Sequence, residues 1–235
     1  FKHGLEELNI TLTDEQIEQF LQYYEMLVEK NKVMNLTGIT EYEEVIQKHF
    51  LDSLSLIRVI PDIASQKLTV IDLGTGAGFP GIPLKIAFPE LEITLMDSLN
   101  KRILFLQEVI DALGLKKVSA VHGRAEEMAS NATHRQQYDL CVSRAVSNLA
   151  VLTEYCLPFV KKGGLFVSYK SADSDAEIQE GKKAISILGG KLTSVDKFQL
   201  PDSDLRRALV CIKKVKDTPK KYPRKAGTPA KLPLK

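Results

Sequence analysis

The chain is short of several things that would point elsewhere. No apolar run among its 235 residues approaches the 18 or more needed to cross a bilayer, and no signal-peptide pattern opens it. Its three cysteines, Cys141, Cys156 and Cys211, are odd in number, far apart and set in apolar surroundings. Metal-ligand spacing is absent, so the expectation is no bound metal and small buried thiols in a reducing cytoplasm. Acidic residues are scarce at one end: from Arg206 to Lys235 there are 11 Lys or Arg and one acid, Asp217. The preceding 205 residues hold 21 basic and 29 acidic side chains, so a net +2 hides an acidic body with a basic end. That asymmetry suggests a polyanionic partner and no membrane.

What is present is ordinary for one large α/β domain with additions: 44% hydrophobic and 26% charged residues. Thr13-Asp14-Glu15-Gln16 has capping-box spacing ahead of an apolar helical face, Ile17, Phe20, Leu21, Tyr24, Leu27 and Val28. Asn31 to Ile39 reads as a loop. Thr40-Glu41-Tyr42-Glu43 reads as a second box before Val45, Ile46, His49, Phe50, Leu54 and Ile57. His49 and Asp52 would neighbour each other there, either facing a substrate or making a helix-surface contact.

From Leu68 strands and helices alternate. Strands are predicted at 68–73, 91–96, 117–122, 138–143 and 164–170, with strand-like runs near 192–199 and 207–214. Helices are predicted at about 80–88, 99–113, 146–159 and 174–188. Repeated βα units with apolar strands imply a doubly wound, largely parallel sheet covered on both faces. The expected organisation is a helical cap over 1–60, a main domain over 61–216 and a tail over 217–235. The tail contains Thr218-Pro219-Lys220-Lys221-Tyr222-Pro223-Arg224-Lys225 and is proline-rich and basic. It is either a solvated end or a nucleic-acid contact through Lys220, Lys221, Arg224 and Lys225.

The informative stretch is Val70-Ile71-Asp72-Leu73-Gly74-Thr75-Gly76-Ala77-Gly78-Phe79-Pro80-Gly81, a buried strand running into a glycine loop and a helix start. Gly76 to Gly81 fits the G-x-G-x-x-G of dinucleotide binders, a weak signal alone. Asp72 with Gly74, Gly76 and Gly78 gives D-x-G-x-G-x-G, the pattern of S-adenosylmethionine-dependent methyltransferases. A carboxylate at that strand end suits an ammonium and a sulfonium and does not suit a pyrophosphate. Asp97 ends the second strand, 19 residues after Gly78, where it can accept from ribose hydroxyls or cap the next helix beside Ser98. Ala125 and Glu126, after the third strand, fall beside the adenine end, or serve as the acidic first turn of a short helix.

The fourth strand delivers Ser143-Arg144-Ala145-Val146. No Asn-Pro-Pro-Tyr-like run of amino-group methyltransferases stands here, nor a cysteine nucleophile at the edge. A reaction needing no proton abstraction fits that poverty, and guanine N7 carries a free lone pair. Arg144 could contact guanine O6, a phosphate or the donor's carboxylate, or be a surface arginine paired to a helix acid.

Taken together these residues resemble the bacterial 16S ribosomal RNA guanine-N7 methyltransferases, formerly called glucose-inhibited division protein B. The match rests on Asp72 to Gly81, Met34-Asn35-Leu36-Thr37, Lys48-His49-Phe50-Leu51-Asp52-Ser53, Asp97-Ser98-Leu99-Asn100-Lys101-Arg102, Arg124-Ala125-Glu126, Ser143-Arg144-Ala145 and Tyr222 to Pro229. It covers nearly the whole chain. The resemblance implies a seven-stranded class I methyltransferase sheet with its last strand antiparallel, S-adenosylmethionine as donor and S-adenosylhomocysteine as product. It also implies donor contacts at Gly74, Phe79, Ala125, Glu126 and Arg144, no agreed catalytic base, and the small ribosomal subunit as partner of a monomeric cytoplasmic enzyme. The rival readings are a small-molecule methyltransferase, which has no use for the basic tail, a binding protein with a vestigial donor pocket, and an NAD-dependent oxidoreductase.

Overall fold

In the computed structural model, which describes residues 1–144 and 147–234, three short α-helices and a long one precede the sheet. α1 is Lys2–Glu7 and α2 is Asp14–Met34. The Thr13 capping box is formed as expected: Thr13 Oγ1 accepts from the Gln16 N–H and Gln16 Oε1 from the Thr13 N–H. The amide of Gln16 then donates to the carbonyl of Ile86 at 2.7 Å, tying the start of α2 to the main domain. α2 runs four residues into the predicted loop and stops where Asn35 takes a left-handed φ of 50°.

The second predicted box does not form. α3, Tyr42–Val45, is capped at Glu41 with no side-chain bond, and the carbonyl of Thr40 is taken by the Tyr24 hydroxyl at 3.1 Å. Tyr24 and Tyr42 meet edge to face, ring centroids 5.0 Å apart, and this contact fixes the entry to the helix in place of a cap. The helical path continues as a π-helical turn, Ile46–Leu51, then α4, Asp52–Leu54, then a 3₁₀ turn, Ser55–Arg58. π turns recur at functional sites, and this one carries His49.

The strands are β1 Thr69–Leu73, β2 Glu92–Asp97, β3 Val118–His122, β4 Tyr138–Ser143, β5 Val160–Ser171, β6 Gly190–Gln199 and β7 Arg206–Lys214. They form one sheet in the order β3-β2-β1-β4-β5-β7-β6, with β7 antiparallel to both neighbours and the first five strands parallel. β5 starts earlier than predicted, since Gly163 at φ 89° and Gly164 let it bend through the register shift against β4. Between the strands run α5 Gly81–Ala87, α6 Asn100–Ala112, α7 Ala125–Met128, α8 Leu149–Cys156 and α9 Asp175–Ile187. Ala145 and Val146 lie outside the described residues, so the start predicted for the helix over 146–159 falls there.

Alternation along the strands feeds two cores. Val70, Leu140, Val142, Leu209 and Cys211 face one, Ile71, Cys141, Val210 and Ile212 the other. The first core also takes Leu5, Phe20, Tyr23, Leu27 and Phe50, so the N-terminal helices complete one face of the sheet. Rings run through it in contact, from Phe1 to Phe20 (5.2 Å), Phe50 (4.9 Å), Tyr23 (5.8 Å) and Phe79 (5.5 Å). The tail is packed against the body, ending in α10, Thr228–Lys231.

Candidate active site

The site grows from the C-terminal end of β1, beside the point where strand order reverses between β1 and β4. Gly74, Gly76 and Gly78 have φ of 72°, 61° and 111°, a region open to glycine at no steric cost. The turn they make is stitched to β2: the N–H groups of Gly74 and Thr75 donate to the Met96 carbonyl, and that of Gly76 to Asp97 Oδ2 at 3.0 Å. Gly76 faces open space, the cradle a ligand backbone approach requires. Gly78 does not face a ligand. A Cβ there would stand 2.6 Å from the Tyr23 hydroxyl, which itself donates to the Ala77 carbonyl at 2.6 Å. Gly78 is thus glycine for packing.

Asp72 also turns inward. It is fully buried and lines neither cavity; its Oδ2 accepts from Thr75 Oγ1 at 2.7 Å and from the Gly81 N–H at 2.8 Å. The carboxylate expected to meet the ligand's cationic groups instead closes the glycine turn onto the start of α5. Burial pushes its pKa up to about 7, opposed by the two hydrogen bonds.

Two cavities meet at this turn, sharing Gly74, Arg102 and Ser147. The smaller, about 500 Å³, lies over the ends of β2 and β3 and is lined by Asp97, Ala125 and Glu126, with Met96, Leu152 and Tyr155 as apolar walls. That combination of an acid, a glycine cradle and apolar walls fits an adenosyl group. Asp97 has less free capacity than the sequence implied. Its carboxylate already accepts from the N–H groups of Gly76 and Leu99 and from Arg102, leaving about one of its four lone-pair positions for a ribose hydroxyl. Ser98 does not cap α6, and the Leu99 N–H is served by Asp97.

The larger cavity, about 1020 Å³, is framed by Thr37, Lys48, His49, Phe79, Arg144 and Arg207, among others. Arg144 leaves β4 and reaches the π turn. Its Nη1 donates to the Lys48 carbonyl and to Asp52 Oδ2, both at 3.0 Å, and its Nη2 to His49 Nδ1 at 3.0 Å. It also lies over the Phe79 ring, 5.0 Å from the centroid, while the His49 imidazole stacks on that ring at 4.4 Å. Since Nδ1 receives a guanidinium hydrogen, Nε2 carries the imidazole proton toward Thr37 Oγ1, 2.9 Å away. Burial and the neighbouring Arg144 charge push His49 down to about 3, so the ring is neutral. Asp52, also buried, has Arg207 Nε at 3.3 Å on its other oxygen.

The structure therefore gathers Gly74, Gly76, Phe79, Asp97, Ala125, Glu126 and Arg144 around the two cavities and withdraws Asp72 and Gly78 from them. His49 and Asp52 are joined through Arg144 and not to each other. Sequence reading missed Arg207, Thr37 and Lys170, all facing the larger cavity, where Lys170 pairs with Glu177 at 2.6 Å. Nothing in a strand's alternation marks Arg207 apart from other strand-end cations. Of the four tail cations, Arg224 is occupied: it forms a two-pronged pair with the buried Glu154, Nη2 to Oε2 at 2.6 Å and Nε to Oε1 at 2.9 Å. Lys220, Lys221 and Lys225 are exposed. A lone acid inside the apolar run Leu149–Cys156 was the available signal for that partner.

This sheet order, with a glycine turn after β1 and an acid ending β2, defines the chain as a class I S-adenosylmethionine-dependent methyltransferase. Solved structures share the fold at low identity. TrmN from Thermus thermophilus matches with a TM-score of 0.53 at 15% identity, over 70% of this chain and 48% of that one. M. jannaschii TYW2 in complex with AdoMet matches with 0.53 at 13%, over 70% and 77%. A family model, GidB, described as rRNA small subunit methyltransferase G, matches residues 16–210, and the chain belongs to that family. Relatives named "Ribosomal RNA small subunit methyltransferase G" include one from Lachnoclostridium phytofermentans, 58% identical over 100% of this chain and 96% of its own, and one from Alkaliphilus metalliredigens, 54% identical over 100% and 97%. Among the described residues no helix is long and apolar enough to cross a membrane.

Proposed function

We propose that this protein methylates N7 of a guanine in 16S ribosomal RNA, with S-adenosylmethionine as the donor. The observation carrying the reading is the state of His49, the one imidazole facing the larger cavity among the described residues. It is neutral, and both its nitrogens are engaged, Nδ1 by Arg144 and Nε2 by Thr37. The acids facing the same space are paired as well, Asp52 with Arg144 and Arg207, Glu177 with Lys170. Among the described residues no unengaged imidazole or unpaired carboxylate faces the cavity, which suits a nucleophile whose lone pair is already available. Such a transfer calls on no Lewis acid, so no metal is assigned.

Gly74, Gly76, Phe79, Asp97, Ala125, Glu126 and Arg144 are the residues we assign to the donor, with Asp72 bracing the turn from behind. S-adenosylmethionine supplies an electrophilic methyl on a sulfonium when bound. The protein's part is alignment and exclusion of water: Gly74 lies at the junction of the two cavities, and Phe79, held by the bonded pair His49 and Arg144, walls the larger one. Lys48, Arg102, Lys170 and Arg207 around that cavity, with Lys220, Lys221 and Lys225 on the tail, form the cationic surface for RNA phosphates. We infer that the enzyme acts as a monomer, in the cytoplasm, on the small subunit or its precursor. Incubation with labelled donor and small ribosomal subunits, followed by mapping of the labelled base, tests this. A label on N7 of one guanine is expected, and a label on carbon 5 or on an exocyclic amine overturns the N7 assignment.

A further inference from the structure

The basic segment after β7 reads as a free end, yet it is clasped to the body: Thr218 Oγ1 donates to the Leu188 carbonyl at 2.7 Å, and Arg135, Arg224 and Gly227 clasp it further. Arg135 donates to four carbonyls, those of Ala129 just after α7 (3.0 Å) and of Thr218, Tyr222 (both 2.9 Å) and Pro219 (3.4 Å) in the segment. Arg224 forks onto Glu154, which is completely buried in α8, and the Arg224 N–H adds a bond to the same carboxylate at 2.8 Å. Last, the Gly227 N–H donates to Glu126 Oε1 at 3.0 Å, across 101 residues of sequence. Gly227 holds φ 81°, a backbone region that favours glycine, and this turns its N–H toward the acid.

Two of these clasped residues belong to, or adjoin, the smaller cavity. Glu126 lines it, and Glu154 is the chain neighbour of Tyr155, which forms its apolar wall. A carboxylate with one oxygen fixed by a backbone N–H presents the other in a defined direction, and a helix pinned by a buried guanidinium fork cannot shift its next side chain freely. Glu126 and Tyr155 both line the cavity, and the strap holds the first directly through Gly227 and the second through its neighbour Glu154 and Arg224.

We propose that Arg224 and Gly227 are positioning residues of the donor site: the strap over 217–231 holds Glu126 and the Glu154–Tyr155 corner in their binding geometry. The inference rests on reading the smaller cavity as the adenosyl site. It gives the segment a task toward the methyl donor that is separate from any contact of its exposed lysines with RNA.

The test is calorimetric titration of S-adenosylhomocysteine into the full-length wild type, Arg224→Ala, Arg224→Lys, Gly227→Pro and Glu126→Ala, each below its unfolding temperature. Gly227→Pro removes the N–H and cannot adopt φ 81°, while leaving the Arg224–Glu154 pair in place, so it serves if Arg224→Ala folds poorly. Arg224→Ala and Gly227→Pro are expected to raise the dissociation constant about five- to tenfold, a change of about 1–1.4 kcal/mol. Arg224→Lys should recover part of the loss, since a point charge replaces the fork. Combining Gly227→Pro with Glu126→Ala should add less than twofold to Glu126→Ala alone, because both act through one carboxylate. A merely structural strap would lower the unfolding temperature and leave the dissociation constant within twofold of wild type, and that result overturns the proposal. Should Glu126→Ala weaken binding while the strap variants do not, the strap inference alone fails; should the wild type not bind at all, the donor assignment falls and the inference with it.

Discussion

The glycine turn and the C-terminal strap are each organised around a fully buried carboxylate, and they solve that problem in opposite ways. Asp72 receives only neutral donors, a hydroxyl and a backbone N–H, all within nine residues. Glu154 receives a guanidinium fork and a backbone N–H from 70 residues away. The first acid therefore carries its burial as a raised pKa, whereas the second holds a distant segment by charge. Neutral bracing is local and can shape a turn. An ion pair can anchor something the chain has not yet folded nearby.

The contrast is most severely tested by Arg224→Ala, which strands the Glu154 charge in the core. Unpaired buried charges cost about 3–5 kcal/mol, so urea denaturation should show a loss of that order. A loss under 1 kcal/mol would mean the strap is not anchored there. At the turn, acid strength is the sharper probe. The folded pKa of Asp72, about 7, exceeds its ordinary value of 3.8, so its contribution is fully present below about pH 4 and is lost as pH rises through 7. His49 works against it: its folded pKa, about 3, lies below 6.5, so its contribution is present above 6.5 and lost as pH falls toward 3. Between pH 4 and 6.5 the two offset each other. Asp72→Asn should then unmask a rise of stability with pH, at most about 1.4 kcal/mol per pH unit, read from denaturation midpoints at four pH values. An unchanged profile would place the Asp72 pKa near its ordinary value.

Tyr23→Phe removes the donor to the Ala77 carbonyl behind the turn and should cost about 1–3 kcal/mol in the same assay. The smallest structural effect belongs to the strap's exposed side. Replacing Lys220, Lys221 and Lys225 with Ala should change stability by less than about 0.5 kcal/mol. The same triple variant should reduce the salt slope of RNA binding by about 2 if the lysines meet phosphates. An unaltered slope would confine the strap's role to the protein itself.

How much of this could be read from the sequence follows the same division. All seven strands were legible, because apolar and alternating runs of strand length need only local pattern. The glycine turn was legible as a strand-to-helix turn, but the direction of Asp72 was not, since nothing in sequence marks Thr75 and the Gly81 N–H as the groups that claim it. The Thr13 box formed as expected; the Thr40 box did not, because the helix starts one residue later, with Glu41 as its N-cap, while Tyr24 from 16 residues away holds the Thr40 carbonyl. The strap was unreadable for a different reason. Charge composition describes a segment by itself, and the strap's decisive bonds, Arg224 to the buried Glu154 and Gly227 to Glu126, reach acids 70 and 101 residues away.

One feature of the sheet bears on how the molecule comes together. β7 stands between β5 and β6, so β6 has no partner other than a strand made after it. Until residues 206–214 insert, β5 leaves Phe166 and Val167, both fully buried in the finished protein, beside an open row of backbone groups. The hairpin of β6 and β7 is sequence-local and can close first, then add to β5 as a unit. A substitution that spoils the turn over 200–205 would thus do its damage before folding ends, by leaving an adhesive sheet edge for another copy of the chain.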